Sequence, residues 1–351
     1  MTNIIFDVSE FSQSWETVIN AIKKFLFYEK KVKVIIIEKD KDFSTFFKKK
    51  ESETWKRIEF FSLKEEIIKQ QEVDKNPSFL SLQKRRKPIT LALKLLLQSK
   101  AEKISILSGC DTKDLVVETD IFLKRITRKF FFMPLLPTKN EKQKVVFLDA
   151  GINLENEPHD LVEFALVGKL YSEKILKLKN PKIALLNIGS EKEKGKQLQR
   201  EAFELFKNNK EINFYGNIEP RDLFLGKVDV VVTDGYTGNI CLKAMEGTGL
   251  IIINELKKIF NSNFFTKLCG FFLKKKIKKN LQKYDYRRTG GAILMGGDGN
   301  IIKIHPLCEE KILLSGLNLA KEVANSSFLN TVKNLNLRKQ NEIIKKNYYR
   351  N

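Results

Sequence analysis

Three features of this 351-residue chain predict an α/β fold: a mostly parallel sheet covered by helices on both faces. Short apolar runs rich in Val and Ile recur along the chain, as buried strands require. Most end in a small or polar turn, and apolar residues at helical spacing often follow. Strands that alternate with helices favour parallel pairing. In such sheets ligands sit beyond the carboxyl ends of the strands.

Asn3 to Phe6 reads as the first strand, Trp15 to Tyr28 as a helix and Val32 to Ile37 as the second strand. Ser62 to Asn76 is charged and of unassigned form. Lys84 to Lys87 is a basic run before Pro88, and Ile89 to Leu97 continues as a helix. Ile104 to Leu107 is a strand that ends in Ser108-Gly109. Val145 to Leu148 is another, ending in Asp149-Ala150-Gly151. Glu157 to Leu176 is a long helix with Pro158 near its start. Lys182 to Leu186 is a strand ending in Asn187-Ile188-Gly189. Gly195 to Lys207 is helical, and Ile212 to Tyr215 is a strand ending in Gly216-Asn217.

Lys227 to Gly249 organises the rest. Val228 to Thr233 is a β-branched run stopped by Asp234-Gly235, and Thr237-Gly238-Asn239 leads into a helical pattern. Glycines let backbone approach a ligand, and the first N–H groups of a helix lack intrahelical partners. Together they make an anion site, with Lys243 a turn further in. An ordinary strand-to-helix turn has the same residues, so both readings stand at this point. Neither a Walker A nor a G-x-G-x-x-G pattern is present.

The formal net charge of +21 points to an anionic partner or to a general lysine bias. The four cysteines form no C-x-x-C pair, which argues against a zinc site and a disulfide framework and for a reducing cytosol. The start of the sequence lacks a signal-peptide pattern, and no apolar run reaches about 18 residues. With two histidines far apart, a metal site is not expected. G-x-S-x-G is absent too.

Leu250 to Tyr284 differs in kind. Phe264, Phe265, Leu268, Phe271 and Phe272 cluster with lysines, and Glu255 is the sole acid before Asp285. An apolar face edged by lysine suits the headgroup layer of an anionic membrane, at about 1 kcal/mol per lysine. The other reading is a hairpin that packs on a second subunit. Beyond it, Gly290-Gly291 and Gly296-Gly297 flank a short strand, Asp298-Gly299 marks a turn, and His305-Pro306 follows. Glu309 to Val323 reads as a closing helix. Residues 1–330 are expected to form a single domain, with 250–284 as its amphipathic segment and 331–351 as a basic tail.

Four segments carry a resemblance: LDAGINLENEPHDLVEFALVGKLYSEKIL, ALLNIGSEKEKGKQL, INFYGNIEPRDLFLGKVDVVVTDGYTGNICLKAMEG and YDYRRTGGAILMGGDGNIIKIHP. In this order and spacing they resemble the bacterial phosphate acyltransferases, which make acyl phosphate from acyl–acyl carrier protein. The resemblance implies a three-layer α/β/α fold like that of phosphate acetyltransferase and isocitrate dehydrogenase. It also implies a homodimer, peripheral attachment to the cytoplasmic face of a membrane, and no cofactor. Its implied partners are inorganic phosphate, acyl carrier protein and a downstream acyl-phosphate:glycerol-3-phosphate acyltransferase. On this resemblance Asp234, Gly235, Thr237, Gly238 and Asn239 hold phosphate, with Lys243 as charge. Asn187, Gly189, Lys194 and Asn217 orient either reactant, and His305 donates to the carbonyl or the departing sulfur. Arg85, Arg86 and Lys87 meet phosphate or the phosphopantetheine arm.

The N-terminal third departs from the family pattern. Asp7-Val8-Ser9-Glu10 stands where the family has D-A-M-G-G-D. Leu107 to Lys113 replaces S-A-G-N-T-G-A, Arg86-Lys87-Pro88-Ile89-Thr90 replaces K-K-D-S-S, and His305-Pro306 replaces H-G. These changes keep a second class open: a membrane-associated scaffold, catalytically weakened, that binds carrier protein or acyltransferase partners. Nucleic-acid binding is the weakest reading, since no helix-turn-helix, RRM or finger pattern appears.

Overall fold

The computed structural model describes residues 1–11, 15–39, 53–63, 87–306 and 309–335. In chain order the first elements are β1 (Thr2–Asp7), α1 (Trp15–Tyr28), β2 (Val32–Glu38), β3 (Ile58–Ser62), α2 (Pro88–Gln98), β4 (Ile104–Ser108) and α3 (Thr112–Phe122). Next come β5 (Phe131–Pro137), β6 (Lys144–Leu148), α4 (Pro158–Lys174), β7 (Ile183–Leu186), α5 (Gln197–Asn208), β8 (Phe214–Ile218) and β9 (Val230–Val232). The last are α6 (Gly235–Asn261), α7 (Phe264–Gln282), β10 (Ala292–Met295), β11 (Ile301–Lys303), α8 (Glu310–Asn325) and α9 (Phe328–Asn334). Position 330 falls inside α9, whose Phe328 and Val332 are buried.

The chain divides into two compact units, Met1–Phe130 with Gly290–Arg338, and Phe131–Thr289. The first unit has strand order β3-β2-β1-β4-β11-β10. All its neighbours are parallel except the β10–β11 hairpin. β2 is VKVIIIE, an alternating then continuous β-branched run buried on both faces. α1 buries Val18, Ile19, Ile22, Phe25 and Leu26, the stripe that three- and four-residue spacing produces.

The second unit has strand order β5-β6-β9-β7-β8, with β6, β9, β7 and β8 parallel and β5 antiparallel to β6. Alternation along these strands feeds two cores. On one face Phe147, Ala184, Leu186 and Val231 pack with Cys241 and Leu242 from the start of α6. On the other, α4 lies so close that a Cβ at Gly168 would sit 2.6 Å from Val230 Cγ1 and 2.9 Å from Leu148 Cδ1. α4 begins with Pro158 at its first turn, where a missing N–H costs nothing, and the Glu157 amide donates to Asp160 Oδ2 at 2.8 Å.

The predicted strands and helices are present, with some differences. β8 begins two residues later than expected, because the Ile212 amide is turned back onto Asn209 O. β5 was not anticipated: FFMPLLP carries Pro134, which argues against a central strand. α3 was not anticipated either. Its Thr, Val and Asp residues are weak helix formers, and its start rests on Asp111 accepting from the Lys113 amide.

α6 and α7 form a hairpin that leaves the second unit's core after Met245. Gly270 of α7 faces Phe260 of α6, where a Cβ would sit 2.9 Å from Phe260 Cβ. Asn263 caps α7 by accepting from the Thr266 amide at 2.9 Å. Midway along α6, Gly247 and Gly249 have nothing within 4 Å of an added Cβ, so close packing does not explain them. Among the described residues no helix is long and apolar enough to cross a membrane.

Candidate functional site

The carboxyl ends of β6, β9, β7 and β8 open on one edge of the second unit, where this topology places ligands. The loop after β6 is built on Asp149, which is buried. Its Oδ1 accepts from the Phe132 and Gly151 amides at 3.0 and 3.2 Å. Its Oδ2 accepts from the Asn153 amide and side chain at 2.9 and 2.8 Å. Burial pushes the Asp149 carboxyl above its ordinary value, although these donors pull the other way.

The expected phosphate turn after β9 is already helical: α6 starts at Gly235 rather than after Asn239. Asp234 is its cap. Asp234 Oδ1 accepts from the Thr237 amide and Oδ2 from Thr237 Oγ1, both at 2.8 Å. The chain's own carboxylate thus takes the amide that the sequence reading left for an oxyanion. Gly235 and Gly238 make room for protein rather than standing open. A Cβ at Gly235 would meet Asp149 Oδ2 at 2.5 Å and Asn153 O at 2.6 Å, and one at Gly238 would strike the Asp149 carbonyl oxygen. Asn239 is exposed, and its side chain lies over Gly151, whose φ of +119° is left-handed.

Asn187 and Asn217 are buried at the ends of β7 and β8. Asn187 Nδ2 donates to Lys194 O at 3.0 Å, and its Oδ1 accepts from the Ile188 amide at 2.8 Å. Asn217 Nδ2 donates to Glu191 O at 2.8 Å. Both amides therefore shape the loop that contains Gly189 and Lys194. The stem of Lys194 runs past Gly189, where a Cβ would be 3.1 Å from Lys194 Cγ. Lys194 itself is exposed.

Nine of the residues singled out in the sequence thus share this edge: Asn187, Gly189, Lys194, Asn217, Asp234, Gly235, Thr237, Gly238 and Asn239. Lys243 lies two turns into α6, exposed and paired with Glu246 at 2.8 Å. His305 and Lys87 belong to the other unit. His305 is exposed, and Lys87 is paired with Asp114 at 2.6 Å. Arg85 and Arg86 lie outside the described residues. Asp149, Asn153 and Gln199 are the residues that sequence reasoning missed. The Asp149-Ala150-Gly151 turn was noted, but its carboxylate's role depends on donors that only folding brings to it.

In the first unit, residues at two of the four family departures, Asp7 to Glu10 and Leu107 to Lys113, are engaged with one another. Ser9 Oγ and Ser108 Oγ donate to the buried Asp7 at 2.6 and 2.7 Å. Burial pushes Asp7 up and takes the Cys110 thiol to about 12. Lys303 Nζ donates to Cys110 O at 2.6 Å, and burial holds its ammonium below the ordinary lysine value.

The chain matches the family described as "Fatty acid synthesis protein" over residues 11–331. It is 33% identical over 336 residues to the phosphate acyltransferase of Mesoplasma florum, covering 95% of this chain and 99% of that one. It is 35% identical to the phosphate acyltransferase of Dictyoglomus thermophilum, covering 84% of this chain and 86% of that one. A phosphotransacetylase from Streptococcus pyogenes shares the fold, with a TM-score of 0.59 at 17% identity over 92% of this chain and 94% of that one. So does a branched-chain phosphotransacylase from Enterococcus faecalis, with a TM-score of 0.55 at 14% identity over 93% of this chain and all of that one.

Proposed function

We propose, because the chain belongs to the phosphate acyltransferase family of fatty acid synthesis proteins, that it transfers a fatty acyl group from acyl carrier protein to inorganic phosphate, giving acyl phosphate. The observation that carries this reading is that Lys194 and Asn239, both exposed, stand on loop and helix starts at the same strand edge, which buried Asn187 and Asn217 amides and the Asp234 cap hold in shape. Phosphate is an anionic nucleophile at neutral pH, so no covalent enzyme intermediate is needed. Its oxygen bonds to the thioester carbonyl carbon, the C–S bond breaks, and the carrier leaves as thiolate and takes a proton from solvent. The protein's task is to hold the two reactants together and to meet the developing oxyanion. Because Asp234 takes both the amide and the hydroxyl proton of Thr237, this task falls to the Lys194 ammonium and the Asn239 carboxamide NH2.

Purified protein given acyl carrier thioester is expected to release free thiol only when phosphate is present. Lys194→Ala is expected to lower kcat/KM for phosphate about 100-fold in that assay. Thiol release unaffected by phosphate would sink the reading. The Asp7–Ser108 bond favours a second reading, since it ties the retained Asp7 to a serine that stands at a departure from the family pattern. This is a scaffold that binds carrier protein with little turnover, and binding without thiol release would reveal it.

The α6–α7 hairpin is proposed to attach to anionic membrane or to pack in a homodimer. Phe264 and Phe265 are 82% and 76% exposed, Phe271 and Phe272 78% and 71%, and Leu268 48%. Lys274, Lys275 and Lys276 adjoin them. Burying a phenylalanine is worth about 2 kcal/mol. Phe271→Ala with Phe272→Ala is thus expected to cut sedimentation with phosphatidylglycerol vesicles by more than about tenfold. Unchanged sedimentation together with a lost dimer would favour the second-subunit role.

A further inference from the structure

We infer that Gln199 is a positioning residue for the phosphate site, locking the Lys194 loop to the capped start of α6; this rests on the proposed assignment of those two segments to the reactants. Gln199 sits in the first turn of α5 and is 8% exposed. A buried carboxamide must place both a carbonyl and an NH2 group. Its Oε1 accepts from the Lys196 amide at 3.1 Å, closing the start of α5 locally. Its Nε2 donates to Asp234 Oδ2 at 3.4 Å, across 35 residues of sequence. That same oxygen accepts from Thr237 Oγ1.

The loop before α5 is pressed onto this side chain. Gly195 adopts φ +90°, and a Cβ there would sit 2.9 Å from Gln199 Cβ and 2.6 Å from Asn187 Oδ1. Gln199 therefore has the loop backbone beneath it and the α6 cap beside it. A helix start accepts Glu or Gln equally at this position, because either offers an oxygen to the cap amide. Only the Asp234 contact separates them. A glutamate would set a second carboxylate against Asp234, whose residue is 6% exposed. Glutamine supplies a donor in the same shape.

This difference provides the test. Gln199→Glu keeps the local cap and loses the cross-link while both carboxylates are ionised. Two close carboxylates share a proton as pH falls, so the link returns on acidification. The variant's KM for phosphate is expected to be about tenfold above wild type at about pH 8 and to approach it near about pH 5, with the thioester KM unchanged. Gln199→Leu is expected to show the raised phosphate KM at every pH. In hydrogen exchange it is expected to open residues 188–196 and the first turn of α6 together, each about fivefold faster. A Gln199→Glu profile parallel to wild type, or exchange in Gln199→Leu that rises in one segment alone, would overturn the inference. Wild-type protein without phosphate-dependent thiol release would instead overturn the proposed function, while the exchange experiment would still decide the link.

Discussion

Gly238→Ala is expected to unfold the second unit more readily than any other single methyl added at its strand edge. The new Cβ would collide with the carbonyl oxygen of Asp149 and approach Thr233 Cγ2 to 3.0 Å. Neither neighbour can yield cheaply. One is backbone in a loop fixed by Asp149's own hydrogen bonds, and the other is a β-branched side chain at the end of a core strand. Overpacking of this kind costs about 3 kcal/mol. Urea unfolding followed by circular dichroism measures it, with Gly247→Ala as the control because open space surrounds that glycine. A loss under about 1 kcal/mol would mean that α6 slides away from the loop without penalty.

Asp149→Asn has the second largest expected effect, and two opposed terms decide its sign. Removing a buried charge relieves desolvation, the cause that lifts the Asp149 carboxyl. Against this, both oxygens face N–H donors: Phe132, Gly151 and Ile152 on one, and Asn153 through backbone and side chain, with Ile152, on the other. An asparagine turns an NH2 group onto whichever set it faces. Each lost bond to a charged acceptor is worth about 1.5–3 kcal/mol, and stranded buried donors add more. The hydrogen-bond term is larger, so a loss of about 3 kcal/mol is expected in the same unfolding experiment. Unchanged or raised stability would show that desolvation dominates.

Most parallel strands, though not β3, and most helices were legible in the sequence because their signals are local: β-branched runs, helical spacing, and prolines at first turns. The apolar hairpin was legible for the same reason, since its phenylalanines and lysines adjoin one another in the chain. β5 was not, because Pro134 is tolerated there by tertiary packing that no window of sequence contains. The nine candidate residues that share the second unit's edge were singled out by motif, and several of them have structural tasks that the motif did not reveal. Asp234-x-x-Thr237 is a capping signal, and reading Asp234 as the end of a strand and a phosphate residue hid it. The glycines of this turn imply close approach, but sequence does not say of what, and here it is the loop after β6. Gln199 escaped notice because its defining partner, Asp234, lies 35 positions away.

α6 is a single rod of 27 residues, about 40 Å long at the usual rise. Its first turns are clamped between a loop and a core, and its far half stands in solvent. Gly247 and Gly249 divide the two, and each weakens a helix by about 1 kcal/mol relative to alanine. Helix propensity is therefore lowest where α6 leaves the core, between the capped turn at Asp234 and the exposed apolar outer half.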